Sequence, residues 1–402
     1  MRKRCAARDR RNQTAEEMEP VRELLREGSA LRLDEAACLP LRSRHGQCRA
    51  CESACPKGVL KVSIDAVELS EGCIECGRCA AACPNDAIAL PGFDLADEAA
   101  IREGRPLEIE CHRVPAERLS PGAQRVPCLG GLSAGAILAL GERAGARGPA
   151  LIDRGACGDC EAGCADRHPA DAALSSARMW LESVGCHGDE LPRLERRVLP
   201  ANALLPLVRS REEAEVPLTR RQFFKAAVDK PAGRDRPAPM PMGSSGRAAF
   251  PASGRRPSRE RTRQIAALDS AARRHDTVIP AEFYPRVHAT GACVDHRICT
   301  AICPTGALKV EQTAEGSSLG FSGEACIGCS ACIRACPEGA LGFEAHGGER
   351  TRVELARHQQ ASCAECGDVF TPRDAGETLC MSCRKSHRFM RDAMEKLYGA
   401  GR

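Results

Sequence analysis

Two segments of the chain share one spacing of four cysteines followed by proline. The first is Cys73-Ile-Glu-Cys76-Gly-Arg-Cys79-Ala-Ala-Ala-Cys83-Pro84, and the second is Cys326-Ile-Gly-Cys329-Ser-Ala-Cys332-Ile-Arg-Ala-Cys336-Pro337. Three thiolates two residues apart on a tight loop can hold three corners of one cubane, while the fourth begins a helix that points to another cluster. Proline suits a first helical turn because its missing N–H has no partner there. The spacing therefore predicts 4Fe–4S clusters.

A shortened version of the motif precedes each complete one. The cysteines of these shortened versions are Cys48, Cys51 and Cys55 in the first copy, and Cys293, Cys299 and Cys303 in the second. Proline again follows the last cysteine of each copy. When the shortened and complete motifs are placed in register, His45 and His296 occupy positions where a cysteine is absent.

Several ligand sets remain open at the two shortened motifs. His45 and His296 are candidates for fourth ligands through a neutral imidazole, which would raise the reduction potential because it removes negative charge. Cys38 is an alternative fourth ligand at the first motif. A 3Fe–4S cluster is an alternative, above all at the second motif, and either histidine could instead only form hydrogen bonds.

Together these motifs resemble the bacterial-type ferredoxins with two 4Fe–4S clusters, over about residues 42–92 and again over 290–344. The resemblance implies two modules, each a pseudo-twofold pair of small hairpins and helices, with crossed ligation. It assigns one cluster to Cys55, Cys73, Cys76 and Cys79, and its counterpart to Cys303, Cys326, Cys329 and Cys332. The two remaining clusters would use Cys48, Cys51 and Cys83, and Cys293, Cys299 and Cys336.

A different group of cysteines lies between the two modules. The pattern there predicts strand, strand, helix, strand and helix in a parallel, doubly wound sheet, whose sites form where the strands end. Cys111, Cys128, Cys157 and Cys160 follow the predicted strands and are expected to converge. The segment resembles the small iron–sulfur subunit that joins methanogen hydrogenases to heterodisulfide reductase, which implies a 2Fe–2S cluster as a fifth centre. A redox-active dithiol and inert buried thiols are the alternatives.

The last cysteines form two C-x2-C pairs, Cys363/Cys366 and Cys380/Cys383, separated by 13 residues. This spacing resembles a zinc ribbon and predicts a structural zinc ion in a closed tetrahedron of thiolates. Ser386 to Leu397 is predicted to be a basic amphipathic helix that covers the adjacent small core. Binding of a partner or of nucleic acid by this helix is an alternative. Cys164 is a spare ligand for the middle group, and Cys5, Cys38 and Cys186 are interpreted as unbound thiols.

The predicted fold class is α+β, with two dicluster ferredoxin-like modules that flank a small α/β domain and a zinc-ribbon-like module at the end. The predicted segments are a helical N-terminal segment (1–37), the first dicluster module (38–95), the cysteine-containing α/β domain (105–190), a helical segment (191–228), a flexible linker (229–263), the second dicluster module (286–346), and the ribbon with its helix (358–402). Pro, Gly, Ser and Arg dominate the linker, which cannot bury enough apolar surface to offset its ordering entropy.

Composition favours small modules held together by metal. Only 12 of the 402 residues are aromatic, whereas 26 are cysteine. The first residues are basic without a following apolar run, so no signal peptide is expected, and no apolar stretch predicts a membrane span. Clustered cysteines without an export sequence predict a reducing, cytoplasmic compartment and metal sites rather than disulfides. The formal net charge of +4 does not by itself favour nucleic acid.

These observations predict an electron-transfer protein, either a shuttle or a polyferredoxin-like subunit of a larger oxidoreductase complex, with redox proteins as partners. The expected cofactors are up to four 4Fe–4S clusters, one 2Fe–2S cluster and zinc. The alternative is a thiol–disulfide or heterodisulfide-type oxidoreductase that uses Cys157 and Cys160. No catalytic triad, phosphate-binding loop or dinucleotide motif is present, so binding of a nucleotide or flavin is not expected.

Overall fold

The computed structural model describes residues 23–93, 95, 107–144, 147–163, 167–207, 255–313, 316–372 and 376–399. Three predicted segments lie partly outside this description: residues 1–22 of the N-terminal segment, residues 208–228 of the second helical segment and residues 229–254 of the linker. Cys5 and Cys164 are also outside it. Within the described ranges, no helix is both long and apolar enough to cross a membrane.

The first module consists of two small antiparallel sheets and three short helices. One sheet has the strand order β1-β2-β5, and the other is the hairpin β3–β4. The hairpin alternates buried and exposed residues, and its buried leucines and valines surround the cysteine loops. The elements are β1 (Glu23–Leu24), β2 (Arg32–Leu33), α1 (Leu39–Arg42), α2 (Ala50–Ala54), β3 (Leu60–Val62), β4 (Val67–Leu69), α3 (Arg78–Ala81) and β5 (Ile88–Ala89).

The helix predicted for residues 1–37 is wrong where that segment is described. Strand β1 pairs with β2, and β2 pairs with β5. Leu31 and Leu33 are 1% and 6% exposed and belong to the core around the cysteines. Pairing with β5 buries these leucines, and this tertiary gain outweighs the local helical spacing of apolar residues.

The middle domain has the predicted parallel sheet, with one additional strand at its edge. The sheet order is β7-β6-β8-β9, and every pairing is parallel. The elements are β6 (Glu108–Cys111), β7 (Gln124–Val126), α4 (Ala134–Arg143), β8 (Ala150–Asp153), α5 (Asp171–Ser183) and β9 (Arg193–Arg196). Strand β9 lies in the segment predicted to be helical (191–228). Its charged residues are those of an edge strand, with Leu194 in register with Leu151 of β8.

The sheet is not doubly wound, because its two helices cover a single face. The connections β7–α4–β8 and β8–α5–β9 run in the same direction across the sheet, so right-handed crossovers place both helices on one side. Ile109 and Leu151 face these helices in one core cluster with Ile137 and Leu174.

A buried ion pair occupies the opposite face of the sheet. Glu110 is fully buried, and both its carboxylate oxygens accept hydrogen bonds from Arg154, at 2.9 and 2.8 Å. Burial raises the pKa of Glu110, but the bonds from Arg154 and Ser120 outweigh it, so the pKa lies below its ordinary value. The carboxylate is therefore charged and is neutralised by Arg154.

Helix α6 (Arg259–Arg274) begins within the predicted linker, so the linker boundary at residue 263 is wrong. Ser258 caps it by accepting a hydrogen bond from the Arg261 N–H at 3.3 Å. The small apolar residues of α6 pack into the core of the middle domain. Arg-rich composition suggested a solvated tether, but a helical stripe of alanine and leucine gives α6 a buried face. These buried residues are Ala267, Leu268, Ala271 and Ala272.

The second module repeats the plan of the first with longer strands. Strand β10 pairs with β13, while β11, β12 and β14 form a second antiparallel sheet. The elements are β10 (Arg286–Ala289), α7 (Ile298–Ile302), β11 (Leu308–Thr313), β12 (Gly316–Ser322), α8 (Ala331–Ala335), β13 (Leu341–Glu344) and β14 (Arg352–Gln359). The mixture of helices and strands agrees with the α+β class.

A hairpin and a long helix follow the second module. These are β15 (Ala361–Ser362), β16 (Val369–Phe370) and α9 (Met381–Tyr398). The predicted amphipathic helix is therefore present, but the prediction that it covers a core is wrong. Phe389, Met390 and Met394 are 72%, 60% and 54% exposed, because the short hairpin contacts the first part of the helix, through its cysteines and through Glu365 with His387.

We expect Arg154→Met to lower the free energy of unfolding of the middle domain by about 3–5 kcal/mol, because it leaves the Glu110 carboxylate buried without a partner. Trp180, the single tryptophan, lies on α5, so its fluorescence during urea unfolding follows this domain. Arg196→Met is the control. Arg196 is 71% exposed and 4.0 Å from Asp153, and an exposed pair contributes at most about 1 kcal/mol. Equal losses in the two variants would contradict the role given to Arg154.

Candidate metal centres

Four cysteines of the middle domain meet at the carboxyl edge of its sheet, in a group that we call site 1. Its members are Cys111, Cys128, Cys157 and Cys160. Cys111 ends β6, and the others follow β7 and β8. Because parallel strands end at one edge, all four line a single cavity of about 460 Å³. Burial and the neighbouring sulfurs of Cys111 and Cys160 raise the pKa of the Cys128 thiol to about 12.

Site 2 comprises Cys55, Cys73, Cys76 and Cys79, the crossed set that the resemblance implied. These cysteines line a cavity of about 350 Å³ together with leucines of the module core. Burial, followed by the sulfurs of Cys76 and Cys73, raises the pKa of Cys79. Cys55 comes from the shortened motif, and the fold brings it to the three cysteines of the complete one.

Site 2 adjoins site 1 through the side chain of Cys76, which lines both cavities. Cys76 lines the cavity of site 1, and its sulfur acts electrostatically on Cys128. The side chain of Arg78 donates to the carbonyl oxygen of Ala162 at 2.9 Å, and Lys57 pairs with Glu161 at 2.7 Å. These contacts fix the first module against the loop that carries Cys157 and Cys160.

Site 3 is completed by Cys38. Burial, followed by the sulfurs of Cys83, Cys38 and Cys48, raises the pKa of the Cys51 thiol to about 12. Asn85 donates to the carbonyl oxygen of residue 37 at 2.7 Å and so ties the Cys38 turn to the loop after Cys83. Site 3 thus comprises Cys38, Cys48, Cys51 and Cys83.

The structure brings Cys38, rather than His45, to the other three sulfurs of site 3. The Nε2 atom of His45 instead accepts a hydrogen bond from Arg44 at 3.3 Å. Cys38 lies ten residues before Cys48, outside any repeated spacing. The interpretation of Cys38 as an isolated thiol therefore does not agree with its surroundings.

Site 4 is the crossed set of the second module, with Cys303, Cys326, Cys329 and Cys332. Burial and the sulfurs of Cys303, Cys329 and Cys326 raise the pKa of Cys332. The backbone N–H of Gly328 points at the Cys326 sulfur at 3.4 Å. Such N–H···S contacts favour thiolate over thiol, since they stabilise negative charge on sulfur.

Site 5 has three cysteines, Cys293, Cys299 and Cys336, and the described part of the chain places no fourth cysteine beside them. Its cavity of about 410 Å³ is also lined by His296 and Glu338. The His296 Nε2 atom lies 2.9 Å from Glu338 Oε1. Asp295, the next candidate, already accepts hydrogen bonds from Arg297 and Ser317. Among the residues lining this cavity, His296 therefore remains the candidate for a fourth ligand, through a nitrogen of its imidazole ring.

The loop geometry of the two modules matches at corresponding positions. The N–H of Ala87 donates to the Cys83 sulfur at 3.2 Å, and that of Ala340 donates to the Cys336 sulfur at 3.3 Å. Gly77 and Ser330, which follow the second cysteine of each motif, both have left-handed backbones, with φ of 74° and 53°. The tight curl between the cysteines requires this conformation, which glycine adopts without strain.

Neighbouring sites are linked across the modules as well as within them. Arg334 of α8 donates to the carbonyl oxygens of His45 and Cys329, each at 2.8 Å, and so joins the loops of sites 3 and 4. The guanidinium of Arg42 interacts with the Cys303 sulfur across the same boundary.

The final group is more compact than the others. The sulfur atoms of Cys363, Cys366, Cys380 and Cys383 all lie within 4.8 Å of one another. The sulfurs of Cys366 and Cys380 are 3.7 Å apart. Zinc bonded to four thiolates at about 2.3 Å requires a separation of about 3.8 Å between sulfurs. Backbone N–H groups of Cys366 and Cys380 lower the pKa of the Cys363 thiol and so favour its thiolate form.

Two segments match models of 4Fe–4S domain families. Residues 292–341 match the 4Fe–4S dicluster domain, and residues 69–89 match the 4Fe–4S binding domain. No curated protein matches the chain. The chain therefore carries two ferredoxin-type 4Fe–4S domains, which indicate a role in iron–sulfur electron transfer with redox partners. The middle domain and the final cysteine group lie outside both matched segments.

Some chemically capable residues had no spacing that could have identified them. Cys186 is buried, and its sulfur lies within 4.8 Å of ligand atoms of Glu190 and His275. Asp153 and His168 form a similar group with Cys157. Each group joins residues from separate elements, so only the fold brings them together.

We expect Cys38→Ser to weaken or abolish the 4Fe–4S signal of site 3, because it removes a sulfur that interacts with those of Cys48, Cys51 and Cys83. His45→Ala is the matched control and should keep that signal. Electron paramagnetic resonance of the anaerobically reduced protein, with iron content determined in parallel, measures both variants. Loss of the signal in His45→Ala, with retention in Cys38→Ser, would reverse the assignment.

Proposed function

We propose that this chain relays single electrons through five adjacent iron–sulfur centres, either as a carrier or as the electron-transfer subunit of an oxidoreductase complex. The observation that carries the proposal is the succession of sites. Cys76 links site 2 to site 1, and the Cys51 sulfur acts on Cys79 across sites 2 and 3. Arg334 joins sites 3 and 4, and the Cys299 sulfur acts on Cys332 across sites 4 and 5.

The donor sets fit iron–sulfur clusters better than free thiols. Buried thiols that raise each other's pKa remain protonated unless a cation compensates them, and iron provides that compensation when it displaces the protons. We assign 4Fe–4S clusters to sites 2, 3 and 4, and a 2Fe–2S cluster to site 1. Such clusters exchange one electron at a time, and the protein sets their potentials through ligands, hydrogen bonds and burial.

At site 5 we propose His296 as the fourth ligand. Its Nε2 atom bonds to Glu338, so Nδ1 is the nitrogen left for iron, and carboxylate partners commonly orient ligating histidines. A neutral imidazole removes one negative charge relative to thiolate and so raises the reduction potential. Site 5 would then be the electron acceptor end of the relay. A 3Fe–4S cluster bound by the three cysteines alone is the alternative.

For the final cysteine group we propose a structural zinc ion. The separation between sulfurs matches a tetrahedral ion, and four thiolates leave no open position for a substrate. The exposed face of α9 then extends from a small metal-stabilised hairpin.

The competing function is a thiol–disulfide or heterodisulfide-type oxidoreductase based on Cys157 and Cys160. Both residues line the cavity of site 1 beside Arg113, where a disulfide substrate could enter. However, burial and the Asp153 carboxylate raise the pKa of Cys157, and the thiolate is the reactive form. Metal binding is therefore the better use of this pair.

We also propose a reducing, cytoplasmic location, since thiols for five centres must avoid disulfide formation.

We expect anaerobically purified protein to contain about 17 to 18 irons and about 18 acid-labile sulfides per chain. Fewer than about eight irons would contradict centres at sites 2 to 5. Electron paramagnetic resonance of the fully reduced chain should show broadened spectra, because neighbouring reduced centres couple magnetically. A simple sum of isolated signals would contradict the adjacency of the sites.

A second metal analysis tests the zinc proposal. We expect the double variant Cys380→Ser/Cys383→Ser to lose about one zinc ion per chain, with no change in iron. Cys186→Ser, a buried thiol outside the group, is the control and should retain zinc. If the double variant kept its zinc or lost iron instead, the group would not be a zinc site.

A further inference from the structure

The loop after β8 brings a histidine and a carboxylate to Cys157, a thiol of site 1. The ligand atoms of Asp153, Cys157 and His168 all lie within 4.8 Å of one another. Asp153 ends β8, while His168 belongs to the turn that precedes α5. The end of β8 and the turn before α5 therefore bring these three side chains together.

Hydrogen bonding determines which nitrogen of His168 carries the proton. Its Nδ1 atom accepts a hydrogen bond from the Ala170 N–H at 3.2 Å. A ring nitrogen that accepts is unprotonated, so the neutral imidazole carries its proton on Nε2. In the described part of the chain, this Nε2 atom is buried and has no hydrogen-bond partner. Buried donors in native proteins nearly always have a partner, so an acceptor is expected at this place.

Two acceptors lie nearby, the Asp153 carboxylate and the Cys157 sulfur, and within the described ranges no hydrogen bond reaches that sulfur. Asp153 already accepts a hydrogen bond from the Gly155 N–H at 2.7 Å, and its other oxygen lies 4.0 Å from Arg196. Elsewhere at site 1, the N–H of Gly130 points at the Cys128 sulfur at 3.4 Å. Cys157 is instead faced by a carboxylate, which disfavours negative charge on its sulfur.

We propose that His168 is a positioning residue of site 1, whose Nε2–H donates a hydrogen bond to the Cys157 thiolate when the centre is loaded. This inference rests on the iron–sulfur centre proposed for site 1. The proton on Nε2 occupies the lone pair that a metal would need, so His168 is a donor and not a ligand. A hydrogen bond to a ligating sulfur stabilises the more negative, reduced state and so raises the potential.

The test is a redox titration of site 1 followed by electron paramagnetic resonance in the full-length chain. The site 1 signal is identified as the part of the spectrum that Cys111→Ser removes. His168→Phe deletes the donor at similar volume, whereas His168→Gln offers an amide N–H near the same place. His187→Phe, a change at an exposed histidine of the same domain, is the control.

We expect His168→Phe to make reduction of site 1 about tenfold less favourable, which is about 59 mV for one electron. His168→Gln and His187→Phe should stay close to the native potential. A native potential in His168→Phe would overturn the proposal. Loss of the centre in both His168 variants would also overturn it, because it would mark His168 as a ligand. If Cys111→Ser leaves the native spectrum unchanged, the centre at site 1 is itself absent, and that failure is distinct from the others.

Discussion

Buried sulfur atoms that crowd one another are the constraint on which this molecule depends. Each module is built around cysteines, with a thin shell of leucine and valine such as Leu31 and Leu60. With so few aromatic residues, the apolar core alone is too small to hold such short helices and strands, and bound metal supplies the missing stability. Crowding also raises the pKa of the thiols, so the same arrangement that is unfavourable without metal becomes favourable once iron takes the place of protons.

Helix α6 and the residue before it contact the middle domain and both modules, and these contacts set the spacing between the centres. Glu260 of α6 accepts hydrogen bonds at the start of α4, from Ser133 at 2.5 Å and the Gly135 N–H at 2.7 Å. The Ser258 hydroxyl donates to the carbonyl oxygen of Pro84 at 2.9 Å, beside site 3. Arg261 donates to the carbonyl oxygen of Gly323 in the second module, and its half-buried guanidinium lies 4.1 Å above the Phe283 ring. One helix therefore fixes the middle domain and both modules relative to one another, and the proposed relay needs this because electron transfer requires close centres.

Local patterns failed where burial depended on distant residues. Strand β9 carries charged residues, and its strand character comes from pairing with β8 rather than from composition. The many arginines of α6 are typical of a solvated segment. Its stripe of alanines forms a buried face only because α4 packs against it. The covering of only one face of the middle sheet by helices follows from the order of its strands, and the spacing of residues in the sequence does not reveal that order. In each case, tertiary contacts outweighed weak local preferences.

The cysteine motifs alone indicated that the chain has ferredoxin-type modules, because three thiolates on one tight loop are placed to hold three corners of one cluster. The assignment of Cys55 to the cluster of the other motif could be predicted only because the chain resembles ferredoxins with the same cysteine spacing. The tertiary structure decided the rest. It brought Cys38 instead of His45 to site 3, set site 1 beside site 2, and placed Asp153 and His168 beside Cys157. These outcomes depend on contacts between residues far apart in the chain, and a linear spacing records only contacts that are local.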